Sequence, residues 1–108
     1  MAKTKPILLT GNQARFLRGL GHHLSPLVHI GKEGISKNLI DSTGQVLLAH
    51  ELIKVKVQEN CPLDRKEVGP LLAEKTGASV AQTIGRIILL YKENKDLNED
   101  KKIKLPKK

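Results

Sequence analysis

Aromatic side chains are almost absent from this chain. Phe16 and Tyr91 are the only two in 108 residues, and tryptophan does not occur. Platforms that hold single-stranded nucleic acid stack successive bases on several exposed rings, so that mode is excluded. Cysteine is nearly absent as well. With Cys61 alone no intramolecular disulfide can form, which fits a reducing, cytoplasmic setting. Cys61 stands before Pro62 in a loop with acids nearby, the place of a structural thiol and not of a nucleophile. The histidines, His22, His23, His29 and His50, make no zinc-type spacing with it. No metal, cofactor or catalytic residue is therefore expected. No apolar run approaches the ~18 residues of a membrane span, and the first residues lack the apolar core of a secretion signal. A membrane partner is not expected. The last scarcity is acid in the first third: residues 1–40 carry Lys3, Lys5, Arg15, Arg18, Lys32 and Lys37 against Glu33 alone.

The charge that is present is lopsided. Formal net charge is +8 and the sequence pI about 9.8, a balance that suits a polyanion. Residues 41–100 are slightly acidic, with eight bases against ten acids, and residues 101–108 hold five lysines and no acid. The lysine-rich end is expected to be a mobile tail over 98–108, leaving one domain over 1–97.

Within the basic third lies Val28-His29-Ile30-Gly31-Lys32-Glu33-Gly34-Ile35-Ser36. It reads as a strand, a Gly-x-x-Gly turn and a helix start capped by Ser36. Glycines let backbone approach a ligand closely, and the following helix offers free N–H groups to an anion. Lys32 adds a mobile cation, and Glu33 trims its field. With stacking excluded, the remaining mode is a glycine loop gripping phosphates, as in KH domains. No helix-turn-helix or zinc finger is apparent, so structured RNA is favoured over DNA.

Periodicity supplies the rest. Thr10 caps a helix over 11–23 whose core positions are Ala14, Leu17, Leu20 and Leu24. Leu27–Ile30 is a strand. A second helix over 37–51 sets Leu39, Ile40, Thr43, Val46, Leu47 and His50 inward, with Gly44 marking close packing. Ile53-Lys54-Val55-Lys56-Val57 alternates as a strand with both lysines on one face. Asp64 and Glu67 resemble a capping box opening a helix to Thr76, C-capped by Gly77, with Val68, Leu71, Leu72 and Lys75 on its inner face. Gly69-Pro70 predicts an irregular first turn there. Ser79–Ile84 and Ile87–Tyr91 form a hairpin about Gly85-Arg86. The order α-β-α-β-α-β-β gives an α/β chain folded as an α+β two-layer sandwich. Its four-stranded mixed sheet has helices mainly on one face.

Three blocks carry a resemblance. Gly31-Lys32-Glu33-Gly34-Ile35-Ser36, His50-Glu51-Leu52-Ile53-Lys54-Val55-Lys56-Val57 and Gln82-Thr83-Ile84-Gly85-Arg86-Ile87-Ile88-Leu89-Leu90-Tyr91 resemble the signature blocks of the CRM domain (chloroplast RNA splicing and ribosome maturation). Leu9–Arg18 is similar to that family's first helix, and the likeness spans roughly 8–92. A chain with one such domain resembles the bacterial YhbY-like branch. The resemblance implies a fold like the C-terminal domain of translation initiation factor three, and association with precursors of the large ribosomal subunit. It also implies RNA contact at Gly31, Lys32, Glu33 and Gly34. Around that loop the RNA-binding candidates are Arg15, Arg18, Lys37, Lys54, Lys56 and Arg86. The expectation is a monomeric, non-catalytic binder of ribosomal RNA. The alternative is an enzyme or enzyme subunit whose glycine loop holds a phosphorylated small molecule.

Overall fold

Each helix starts where a short polar side chain can satisfy its free N–H groups. The computed structural model describes residues 9–106 and orders them as α1 (Gly11–Gly21), β1 (Pro26–Ile30), α2 (Lys37–His50), β2 (Leu52–Val57), α3 (Arg65–Thr76), β3 (Ser79–Ile84) and β4 (Ile87–Tyr91). Ser36 Oγ accepts from Leu39 N at 3.1 Å at the head of α2. The capping box forms at α1, not at α3. Thr10 Oγ1 accepts from Gln13 N at 3.1 Å while Gln13 Oε1 accepts from Thr10 N at 3.0 Å. Asp64 instead directs Oδ1 to Lys66 N, one residue short of the box position.

The α3 helix runs unbroken through Pro70, so the expected irregular turn is absent. The proline deletes the bond to the Lys66 carbonyl, which belongs to an exposed residue. Its neighbour Gly69 is buried, and a Cβ there would meet Ile88 Cγ2 at 3.5 Å. The inner face of α3 is Val68, Gly69, Leu72, Ala73 and Thr76. Leu71 is half-buried and Lys75 exposed, because the helix turns its small residues to the sheet.

The four strands form one sheet in the order β1-β2-β4-β3, with β1 parallel to β2 and the other pairs antiparallel. Ile84 pairs with Ile87 across the expected two-residue turn, where Gly85 has φ +56°. Strict alternation in β2 divides the sheet into two faces. Ile53, Val55 and Val57 join Val28, Ile30, Ile88 and Leu90 beneath α2 and α3, with Leu47, Val68 and Leu72 closing the main core. Cys61 packs at the margin of that core.

The α1 helix lies on the opposite face. There Leu17 packs with Leu52, Ala81, Leu89 and Tyr91. Helix and sheet approach so closely that a Cβ on Gly21 would come within 2.8 Å of Leu89 Cδ1. The contact row is therefore Leu17 and Gly21. Leu20 and Leu24, expected inside, are 43% and 38% exposed. Two other inward expectations also change. His50 is exposed at the end of α2, and Gly44 has open space where a Cβ would stand.

Glu51 was not anticipated. It is fully buried, has φ +61°, and sits between α2 and β2. Its carboxylate accepts from Asn94 N and Ile103 N, each at 2.7 Å. These bonds lay the C-terminal segment across the α1 face, where Ile103 and Leu105 pack on the second core and Pro106 O accepts from Gln13 Nε2 at 2.9 Å. The stretch set apart as a tail thus makes defined contacts through Pro106. Lys107 and Lys108 lie outside the described residues.

Candidate nucleic-acid interface

The β1–α2 connection is built as a closed turn. Gly34 N donates to Gly31 O at 3.0 Å, and Gly34 has φ +63°, a conformation glycine adopts without strain. Lys32 and Glu33 stand exposed at its tip. Gly34 itself is buried: a Cβ there would meet Pro62 Cγ at 3.5 Å and Leu63 Cδ1 at 3.8 Å. The second glycine therefore serves the turn and its seat on the β2–α3 loop, and any close approach by a ligand falls to Gly31 and the tip. Just beyond, Lys37 opens α2 and is exposed. With Ser36 Oγ engaged by Leu39 N, the amides of Lys37 and Asn38 have no protein partner among the described residues. They add partial positive charge beside Lys32.

Beside the turn, the ends of β1 and β2 and the β3–β4 hairpin enclose a cleft of about 570 Å³ lined by Gly31, Lys56, Gln58, Asn60 and Arg86, with Glu59 as its one acid. The hairpin is tied to it: Val57 N donates to Arg86 O at 2.8 Å, and Arg86 Nη1 reaches Gln58 O at 3.4 Å. Gln58 N donates to Ile30 O, and its side-chain amide meets His29 Nδ1 at 3.1 Å. The two strand lysines lie on one face of β2 but line different depressions. Lys56 lines the cleft with Gly31, while Lys54, two residues back on the same face of β2, lines a second depression with Arg18. That spacing is about 7 Å along a strand. Arg15 is exposed one turn before Arg18 on α1 and borders neither depression.

The second depression, about 660 Å³, lies between the end of α1 and strands β2, β4 and β3, and includes His22, His23 and Gln82. The two histidines follow the last turn of α1, so their rings do not diverge as they would within a helix. They meet edge to face with centroids 5.2 Å apart. Sequence reading missed His22, His23, Gln58, Asn60 and Gln82 as surface partners. Strict alternation would have set Gln82 beside Val80 on the main core, and only the register irregularity between Val80 and Gln82 turns it to the open face. The others gain their place only from tertiary contact.

The Tyr91 hydroxyl, on the covered part of this face, is pushed up to about 12 by burial and then by the carboxylates of Glu51 and Glu93. It stays protonated through neutral pH and plays a packing role.

A mixed sheet of this order, with a glycine turn between its edge strand and a helix head and a lysine-bearing strand alongside, defines a small α+β domain of the glycine-turn type. The chain belongs to the CRS1 / YhbY (CRM) domain family, whose model matches residues 9–92. It is 46% identical over 99 residues to "Probable RNA-binding protein YqeI" of Bacillus subtilis, covering 92% of this chain and 100% of that one. It is 37% identical over 100 residues to a Haemophilus influenzae protein named "RNA-binding protein", covering 93% of this chain and 97% of that one. The solution structure of a hypothetical protein from Staphylococcus aureus superposes with TM-score 0.75 at 42% identity, covering 92% of this chain and all of that one.

Proposed function

We propose that this chain is a non-catalytic RNA-binding protein that grips the sugar-phosphate backbone. In this reading it acts as a cytoplasmic monomer on ribosomal RNA in precursors of the large subunit. The observation that carries the reading is the bridge made by β2. Lys56 joins the Gly31 turn and Arg86, Lys54 joins Arg18, and the two lysines share one face of one strand. Cations are thereby spread over several phosphate spacings, as a backbone ligand requires and a single phosphate does not. The names of the relatives point to the same class of partner.

The test is equilibrium binding of the full chain to large-subunit precursor transcripts across a salt series. With roughly 4–6 phosphate contacts on unpaired segments, log affinity falls with log salt at a slope of about −3 to −4. Lys32→Ala weakens binding by about fivefold, in the range of one charged hydrogen bond after water competition. Salt-insensitive binding, or Lys32→Ala and Lys56→Ala variants that bind like the parent, would overturn the reading. Competition by free nucleoside phosphates at the affinity of the transcripts would favour the small-molecule alternative.

A further inference from the structure

We propose that the depression between the end of α1 and the sheet is a pocket for one unpaired nucleotide of the bound RNA, with Gln82 reading the edge of its base. The inference rests on the RNA-binding reading above and adds base selectivity to a surface otherwise suited to backbone.

The register places three residues in one row. Lys54 pairs with Leu89 across β2 and β4, and Leu89 pairs with Gln82 across β4 and β3. All three line the depression. A cation and an amide thus stand two strand spacings apart, about 10 Å, on either side of Leu89, which α1 covers. A nucleotide spans a similar distance from its phosphate to the polar edge of its base. Between them the accessible apolar floor is Ile87, which is half-buried, and Ile84, at 62% the most exposed large apolar side chain among the described residues, forms a rim. Opposite stand the rings of His22 and His23, the aromatic surface this sheet otherwise lacks and one on which a base can stack.

Three observations favour a nucleotide over another occupant. No acidic residue lines the depression, while Arg18 and Lys54 do. Neither cation is in an ion pair, and the Gln82 amide has no hydrogen-bond partner among the described residues. An amide with both donor and acceptor free can pair with a base edge in two-point fashion. The volume, about 660 Å³, lies in the range of sites that enclose small ligands. The pocket also continues the basic face: Lys56, two residues from Lys54, carries the surface on to the Gly31 turn.

The experiment uses the full chain and a set of hairpin RNAs identical except for one bulged position, which is A, C, G, U or abasic. A bulge removes most of the unstacking cost of presenting a base. The parent is expected to prefer one base over the abasic probe by at least about fivefold, the low end for a two-point contact. Gln82→Ala flattens that preference and leaves abasic affinity unchanged. Lys32→Ala lowers affinity for all five probes alike and preserves the preference. Equal binding of all five probes by the parent overturns the pocket and leaves backbone gripping intact. A preference that survives Gln82→Ala in a folded variant overturns the role of Gln82. Free nucleoside monophosphates binding as tightly as the hairpins would make this a small-molecule site and overturn the assignment. Failure to bind any hairpin would overturn the pocket together with the RNA reading.

Discussion

The two faces of the sheet are made by the same strands and have opposite fates. On one, Val28, Ile30, Ile53, Val55, Val57, Ile88 and Leu90 are buried under α2 and α3. On the other, α1 and the C-terminal segment cover Leu52, Leu89, Tyr91 and Ala81, and stop. His29, Lys54, Lys56 and Gln82 are left on the uncovered part, partly or fully exposed. A single helix is too narrow to cover four strands, and what it leaves bare is cationic and polar. The fold's stability is invested in the first face. The candidate interface occupies the unfinished half of the second.

Neighbouring residues of β2 test this division most strongly. Ile53→Ala is expected to destabilise the protein by about 3 kcal/mol, the transfer term plus a cavity in a closed core. Lys54→Ala, one residue on, should stay within about 0.5 kcal/mol in stability and weaken RNA binding instead. Chemical denaturation with parallel binding measurements reads both. A stability loss for Lys54→Ala as large as for Ile53→Ala would erase the contrast between the faces.

The boundary between covered and open surface depends on Glu51. Glu51→Gln leaves one acceptor oxygen for two part-buried backbone N–H donors, so about 1–2 kcal/mol should be lost. Amide exchange should accelerate at Ile103 before it does in β2. Unchanged protection at Ile103 would mean that apolar packing alone holds the segment.

Alkaline titration probes the same covered region. The Tyr91 hydroxyl ionises near 10 when unfolded and is pushed up to about 12 in the fold. Its contribution is complete below pH 10 and disappears as pH rises toward 12, because only the unfolded chain releases the proton in that window. The loss is about 2 kcal/mol at most. Tyr91→Phe should flatten this part of the stability profile, measured by thermal melts from pH 9 to 12. A parent and variant that fall together would assign the decline to lysines.

The smallest effect belongs to the outer side of α2. A Cβ on Gly44 meets nothing within 4 Å, and Gly44→Ala should stabilise by about 0.5–1 kcal/mol by removing unfolded-state freedom. A destabilised variant would show that the helix moves inward there.

Local rules made most of the fold legible. Alternation in β2, the Ser36 cap, the Gly85-Arg86 turn and the element order are each written in a few adjacent residues. What escaped depends on distance along the chain. Leu20 and Leu24 fit a helical stripe, yet the sheet meets α1 along Leu17 and Gly21, and a glycine cannot announce itself as a contact residue. Glu51 looks like any acid at a helix end until Asn94 and Ile103 arrive from 43 and 52 residues away. The glycine turn is legible in nine adjacent residues, Val28–Ser36. The cleft beside it is not, because its walls come from three separate loops.

The hydrogen bond from Gln13 Nε2 to Pro106 O joins the beginning of the described chain to its end. Leu9 and Leu105 rest on the same apolar cluster, so the two ends of the described segment lie together, across the sheet from α2 and α3. A unit with adjacent entry and exit is a plug-in part: it can be spliced into a host polypeptide, or strung in series, without prising its own sheet apart. Re-joining the ends through a short linker and opening the chain at an exposed loop would yield a permuted protein with the same surface. The architecture thus separates where the module is wired from where it works.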